Sequence, residues 1–191
     1  MTETKNILLA GVGGQGTITA SKILSTGLIE AGYDVKMAEI HGMSQRGGSV
    51  TTQVRFGEKV YSPIIGEAQA DILISFEVME TLRWLKNLKP DGVVVLNDYK
   101  IPSVPILTGA VEYPERIIEE VKSKAKTTVI DAAKIAEELG NIRTMNVVLL
   151  GALIKAMNLT EIDWEGVIKK TVKEKFIELN IKALKKGMDQ I

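Results

Sequence analysis

The chain has 191 residues, 45% hydrophobic and 25% charged, with lysine plus arginine equal to aspartate plus glutamate at 24 each. That length suits one compact domain over residues 1–191 with a sizeable core, and the balanced charge argues against a protein that grips nucleic acid through its phosphates. Cysteine is absent and there is one histidine, His41, which excludes disulfides, cysteine-held iron–sulfur clusters and the usual zinc sites on this chain.

The first residues, Met1 to Lys5, are short and polar, without a signal-peptide hydrophobic stretch. The longest apolar segment, Met145 to Met157, contains Asn146 and Lys155 and is too short to span a bilayer. A soluble cytoplasmic protein is expected, with no membrane contact.

In chain order, Asn6 to Ala10 reads as a strand buried on both faces. Apolar residues from Ala20 to Ala31 recur at helical spacing, with Gly27 where that helix can approach a sheet and Gly32 as its C-terminal glycine. Asp34 to Ile40 is a second strand, so a parallel crossover is expected. Ser49 to Phe56 alternates apolar and polar residues, the pattern of a strand with one wet face. Gly57-Glu58 then predicts a hairpin back through Lys59 to Ser62.

Asp71 to Phe76 is another buried strand, and Val78 to Leu88 has helical spacing. Pro90-Asp91-Gly92 is a turn signal before the strand Val93 to Leu96. Asp98 to Glu112 is expected to be loop with one short strand, and Pro114 to open a helix reaching Lys124. Thr127 to Ile130 reads as a strand. Asp131 is placed to cap a helix ending near Gly140, and Asp163 one that runs through Val172. Met145 to Met157 reads as a buried helix, and a last helix follows from Phe176 to Gly187. The expected fold is α/β: a Rossmann-like mixed, mostly parallel sheet flanked by helices, with a helical C-terminal section over about residues 143–191.

Two loops stand out. Gly11-Val12-Gly13-Gly14-Gln15-Gly16 carries the spacing Gly-x-Gly-x-x-Gly between a strand and a helix. Such a turn lets the backbone cross restricted space and offers free amides at the positive end of a helix. With Glu39 near the end of the next strand as a ribose acid, these mechanics describe a dinucleotide site. Glycines also serve tight strand–helix packing without any ligand, and nothing else in the chain resembles hydride-transfer machinery.

The second loop is His41-Gly42-Met43-Ser44-Gln45-Arg46-Gly47-Gly48. Together with Gly11–Gly16, and with Phe76-Glu77 after the third buried strand, it resembles the small subunits of indolepyruvate:ferredoxin oxidoreductases. These are similar to the gamma subunit or domain of 2-oxoacid:ferredoxin oxidoreductases at large. The resemblance covers nearly the whole chain, and the His-Gly-Met-Ser-Gln-Arg-Gly-Gly run is its more specific feature.

It implies a subunit that is not active alone, within a complex that decarboxylates aryl-pyruvates to aryl-acetyl-CoA and carbon dioxide and reduces ferredoxin. Thiamine diphosphate, Mg2+, [4Fe–4S] clusters and most of the CoA contacts are then expected on a larger partner subunit, in a heterotetramer. This chain also lacks the Gly-Asp-Gly and asparagine pattern that thiamine enzymes use. The alternatives are a gamma subunit for another 2-oxoacid (2-oxoglutarate, pyruvate or a branched-chain acid), a stand-alone dinucleotide module, and a scaffold whose loops contact no ligand.

Under the resemblance the residues that bind a cofactor or dock the partner are Gly11, Gly13, Gly14, Gln15, Gly16, His41, Ser44, Gln45, Arg46, Gly47, Gly48 and Glu77. All follow predicted strands and are expected at one sheet edge with Asn97-Asp98. Arg46 is suited to anchor an interface or to meet a carboxylate or phosphate. His41 contributes a hydrogen bond at the interface or takes part directly in the chemistry. Glu77 caps a helix or faces the partner. No metal site is expected.

Overall fold

All but the first residue of the strand β1 (Lys5–Val12) are buried, and the rest of the protein is arranged to either side of it. A computed structural model describes residues 3–42 and 47–191. Ser44, Gln45 and Arg46 of the second loop lie outside the described residues.

Helix α1 (Thr17–Glu30) follows β1, then come strands β2 (Asp34–His41), β3 (Ser49–Gly57) and β4 (Ala70–Ser75). Helix α2 (Val78–Trp84) leads to β5 (Leu88–Asn97), the short α3 (Val104–Leu107), α4 (Ile117–Lys124) and β6 (Lys126–Ile130). The C-terminal part carries α5 (Ala132–Glu138), α6 (Met145–Ala156), α7 (Trp164–Thr171) and α8 (Ile177–Met188). The six strands form one sheet in the order β2-β3-β1-β4-β5-β6. β3 alone runs against the others, being antiparallel to both β2 and β1, while β1, β4, β5 and β6 pair in parallel.

A parallel strand points alternate side chains to opposite faces, so both faces of this sheet must be covered. Ile7, Leu9, Ile72, Ile74 and Val95 pack under α1 and the C-terminal helices. Leu8, Ala10, Leu73, Val94 and Leu96 pack with Val78 of α2 and with Ile117 and Val121 of α4. Helix α6 is buried from Met145 to Ile154, as expected for a segment that is apolar on every side. It meets α8 through two glycines: a Cβ on Gly151 would collide with the Leu184 carbonyl, and one on Gly187 with the Val148 carbonyl. Only a residue without a side chain lets the two backbones approach so closely.

Several local expectations give way to tertiary pairing. β2 runs parallel to β1 but does not lie beside it, because the chain folds back through the His41–Gly48 loop and β3 pairs with both. With both edges of β3 taken, Lys59 to Ser62 has no strand to join, and the hairpin is β2–β3 instead. β3 has no wet face either, because the segment after it folds back over its polar side: Thr51 and Gln53 are buried, the Gln53 side chain accepts the Ile65 N–H at 2.6 Å, and Arg55 donates to the Ser62 carbonyl at 3.0 Å.

Helix α2 stops at Trp84 and a 3-10 turn ends at Asn87, since Leu88 is drawn into the sheet opposite Ala70. The Pro90-Asp91-Gly92 turn is a bulge inside β5, where the partners of Ala70 and Ile72 jump from Leu88 to Val93; proline, having no N–H to donate, is tolerated at such a bulge. Pro114 lies ahead of α4, which begins at Ile117 after Arg116 takes a left-handed φ of 57°. Between Asp98 and Glu112 there is a helix, α3, and among the described residues no strand. Gly27 receives the Trp164 ring, not the sheet.

The caps at Asp131 and Asp163 are formed, their carboxylates accepting the N–H groups of Lys134 at 2.9 Å and Gly166 at 3.0 Å. No described helix is long and apolar enough to cross a membrane. Replacing Gly151 by Ala forces α6 and α8 apart and lowers the unfolding free energy by about 3 kcal/mol. Urea denaturation of Gly151→Ala checks this, and an unmoved midpoint would contradict the close crossing.

Candidate functional site

Five parallel-running strands end at the same edge, and β3 begins there, so the loops that follow them collect in one place. The glycine loop and the second loop are joined directly. The Gly13 N–H donates to the Gly48 carbonyl at 2.9 Å, and the Gly47 N–H to the Gly13 carbonyl at 3.4 Å. Gly11, Gly13, Gly14, Gln15, Gly16, His41, Gly47 and Gly48 therefore share one edge as expected, with Glu77 behind them.

Gln15 is 8% exposed and ties the glycine loop inward. Its Oε1 accepts the Val12 N–H at 2.8 Å, and its Nε2 donates to the Phe76 carbonyl at 2.7 Å. Asn97, fully buried, donates to the same carbonyl at 3.0 Å and accepts the Ala132 N–H at 3.1 Å. One chain of polar contacts thus joins the ends of β1, β4, β5 and β6.

Glu77 is fully buried, so it touches neither solvent nor a partner directly. As the N-cap of α2 it accepts the Glu80 N–H at 2.9 Å. Its other oxygen accepts the Ile101 N–H at 3.2 Å and the Tyr113 hydroxyl at 2.6 Å. The segment between those residues is clasped at both ends by one carboxylate oxygen. Its helix α3 buries nothing: Val104 and Leu107 are each 71% exposed. Burial first, and then the hydrogen bond to the Glu77 carboxylate, push the Tyr113 phenol pKa well above its ordinary value.

Glu80, absent from the expected residues, is also buried. It accepts the Ser49 hydroxyl at 2.5 Å, immediately after Gly48, and meets the exposed Arg83 at 3.2 Å. The signal for it was the Glu-x-x-Glu spacing of Glu77 and Glu80 ahead of an apolar helix, which reads as an ordinary capping pair. Nothing in that spacing says that the second carboxylate turns inward to another strand.

The dinucleotide reading meets two obstacles. β3 separates β2 from β1, and Glu39, exposed, pairs with Thr52, which pairs with Leu9. The ribose acid is therefore two strand spacings from β1, roughly 10 Å. The amides of Val12, Gly13 and Gln15 are already bonded to the Gln15 side chain, Gly48 and Val12. A phosphate cradle needs such amides free.

Beside the loop lies an open cleft of about 590 Å³, lined by Gly13 to Gly16, Tyr99, Ile101, Ile142, Arg143 and Met145. The Asn146 side chain, from the first turn of α6, donates to the Gly16 carbonyl at 3.0 Å and leaves no room for a side chain there. His41 is exposed, with Nδ1 3.2 Å from the Gly42 carbonyl. Among the described residues no group of three histidine or acidic side chains could hold a metal, and without cysteine the chain does not fit an iron–sulfur cluster.

The family model described as pyruvate ferredoxin/flavodoxin oxidoreductase matches residues 6–190. The chain belongs to this family. It is 43% identical over 190 residues to the indolepyruvate oxidoreductase subunit IorB of Thermococcus kodakarensis, covering 96% of this chain and 94% of the relative. The subunit of the same name from Archaeoglobus fulgidus is 40% identical, with 97% and 94% covered. The pyruvate/ketoisovalerate oxidoreductases common subunit gamma of Pyrococcus abyssi is 31% identical, with 94% and 93% covered. The indolepyruvate resemblance read from the loops is thus matched across nearly the full chain.

The fold is that of the keto/oxoacid ferredoxin oxidoreductase gamma subunit from Geobacter sulfurreducens PCA (TM-score 0.73, 22% identity, 97% of each chain covered). It is also found in a 2-oxoglutarate:ferredoxin oxidoreductase from Magnetococcus marinus (TM-score 0.75, 21% identity), where it spans 100% of this chain and 31% of that one.

Tyr113→Phe leaves the buried carboxylate one donor short and lowers stability near neutral pH by about 1–2 kcal/mol. Because folding raises the phenol pKa, its contribution is fully present below pH about 10, the unfolded value, and is lost as pH rises toward the folded one. Unfolding curves from pH 9 to 11 should therefore converge for wild type and Tyr113→Phe as the solution becomes more alkaline. Parallel losses in the two proteins would contradict the Glu77–Tyr113 bond.

Proposed function

We infer that this chain is the small, non-autonomous subunit of a cytoplasmic 2-oxoacid:ferredoxin oxidoreductase acting on aryl-pyruvates, indolepyruvate among them. The observation that carries the reading is the joined pair of loops at the carboxyl edge, in a chain more similar to indolepyruvate subunits than to the pyruvate/ketoisovalerate gamma subunit, 43% against 31%. A larger subunit supplies thiamine diphosphate with Mg2+ and the iron–sulfur clusters, since this chain has no cysteine to hold a cluster. Two copies of each form a heterotetramer that reduces ferredoxin and releases aryl-acetyl-CoA. In this reading residues 1–191 act as one domain.

The carboxyl edge is the docking face. Exposed apolar side chains gather along it: Ile18 at the start of α1, Ile40 at the end of β2, Val104, Leu107 and Val111 on the clasped segment, and Ile142 at the cleft. Such residues gain most when a partner removes them from water. Gly11 to Gly16 hold the edge in shape, His41 and the loop through Ser44, Gln45 and Arg46 to Gly48 meet the partner, and Glu77 acts from behind by holding the clasped segment. An anionic part of CoA would sit in the cleft, against Arg143 and the first turn of α1.

The Pyrococcus abyssi relative is named as a gamma subunit common to pyruvate and ketoisovalerate oxidoreductases. A gamma subunit that serves two substrates favours selection by the partner. The acid oxidised by this chain's complex is then set elsewhere, and another 2-oxoacid is the alternative outcome of the assay.

The test is to produce the chain alone and together with its larger subunit, then measure 2-oxoacid- and CoA-dependent reduction of a viologen dye. The chain alone should be inactive and bind no NAD, and the complex should use indolepyruvate in preference to 2-oxoglutarate. Activity of the isolated chain, or tight NAD binding by it, would overturn the reading. Val104→Glu with Leu107→Glu should weaken assembly about tenfold or more without changing the melting temperature. For Arg46→Ala, an assembly defect with normal CoA saturation marks an interface anchor; a raised CoA requirement in an intact complex marks a ligand contact.

A further inference from the structure

We propose that Glu80 is the positioning residue of Gly47 to Ser49, acting through the Ser49 hydroxyl to hold these residues in place at the docking face. The proposal rests on the subunit reading above. Four observations lead to it. Glu80 is 2% exposed, and a carboxylate taken that far from water must be matched by donors. One donor, Arg83, lies on the same helix and is itself mostly exposed, so it needs no buried partner. The other is the Ser49 hydroxyl, 2.5 Å away on a different element and the first residue of β3 after the loop. The loop's last residues also join the glycine loop through the Gly13–Gly48 and Gly47–Gly13 bonds.

These contacts put the loop's end under two restraints that meet at nearly the same point. The Gly13 bonds fix the loop against β1. The Glu80 bond fixes it against α2, whose first turn also carries Glu77, the clasp of the α3 segment. Two buried carboxylates three residues apart therefore set the relative places of the second loop's end and of the α3 segment. A hydrogen bond to a charged acceptor is among the stronger neutral-donor contacts, and losing it releases Ser49, with Gly47 and Gly48 before it, from α2. No element of the core passes through this bond. Its loss should loosen Gly47 to Ser49 while the fold stays intact.

The experiment uses Glu80→Gln, Ser49→Ala, the double variant, Ser49→Thr and Arg83→Ala. In the chain alone, amide exchange at Gly13 and Gly47 is followed by NMR. Glu80→Gln and Ser49→Ala should each speed it about tenfold, the double variant no further than either, and Ser49→Thr, which keeps the hydroxyl, should restore the slow rate. Arg83→Ala should leave it unchanged. With the larger subunit, the first two variants should raise the dissociation constant about tenfold while kcat of the assembled complex stays as in wild type.

Unchanged exchange in both Glu80→Gln and Ser49→Ala would overturn the proposal, as would fast exchange with an unaltered dissociation constant. Should Glu80→Gln fail to fold, Ser49→Ala decides alone, since it leaves α2 untouched. If the wild-type chain forms no complex with a thiamine- and iron–sulfur-carrying subunit, the functional reading fails, and with it the docking role of Glu80. The exchange rates then still decide whether Glu80 holds Gly47 to Ser49.

Discussion

A single carbonyl oxygen, that of Phe76, receives both the Gln15 and the Asn97 side-chain amides at the end of β4. Those two bonds decide how the carboxyl edge is built. Gln15 reaches it from the glycine loop after β1, and Asn97 from the end of β5, itself bonded to the start of α5. The next residue, Glu77, begins α2 and clasps the segment that carries α3. Buried amides and carboxylates are costly unless every group finds a partner, so a network of this kind tolerates few arrangements. The edge is stiff because its polar groups are spent on one another.

The same economy explains why a glycine-rich turn need not be a nucleotide site. Glycines allow the sharp passage from β1 to α1, and Gly16 takes a left-handed φ of 79° while lying under the Asn146 side chain. Three of the loop amides, those of Val12, Gly13 and Gln15, are occupied within the chain, and the acid expected on a neighbouring strand is one strand too far away. What the turn presents outward is an edge rimmed with apolar side chains and joined to a second loop. That is the surface of a protein built to associate.

The strand and helix inventory was legible because the buried parallel strands carry short apolar runs, α1 ends on a glycine, and α5 and α7 begin on a capping aspartate. Asp131, Asp163 and Gly32 each stand where local chemistry placed them. Pairing was less legible, since nothing in Ser49 to Phe56 says that both its edges will be used. Its polar residues look solvent-facing until Gln53 finds the Ile65 amide and Ser49 finds Glu80. The bulge at Pro90 to Gly92 was read as a turn because proline and glycine mark both, and only the register against β4 separates them. At the site, the two loops were visible by their glycines, but Glu80, Tyr113 and Arg143 come from distant positions and carry no local signal.

In the proposed complex the carboxyl edge meets the larger subunit. Hydrogen–deuterium exchange of the whole chain, with and without that subunit, tests it most directly. New protection is expected at Gly13 to Ile18, Gly47 to Ser49, Ile101 to Tyr113 and Ile142 to Arg143, and none from Glu58 to Gln69 at the opposite edge. Protection confined to Glu58–Gln69, or to the outer face of α7 and α8, would contradict it.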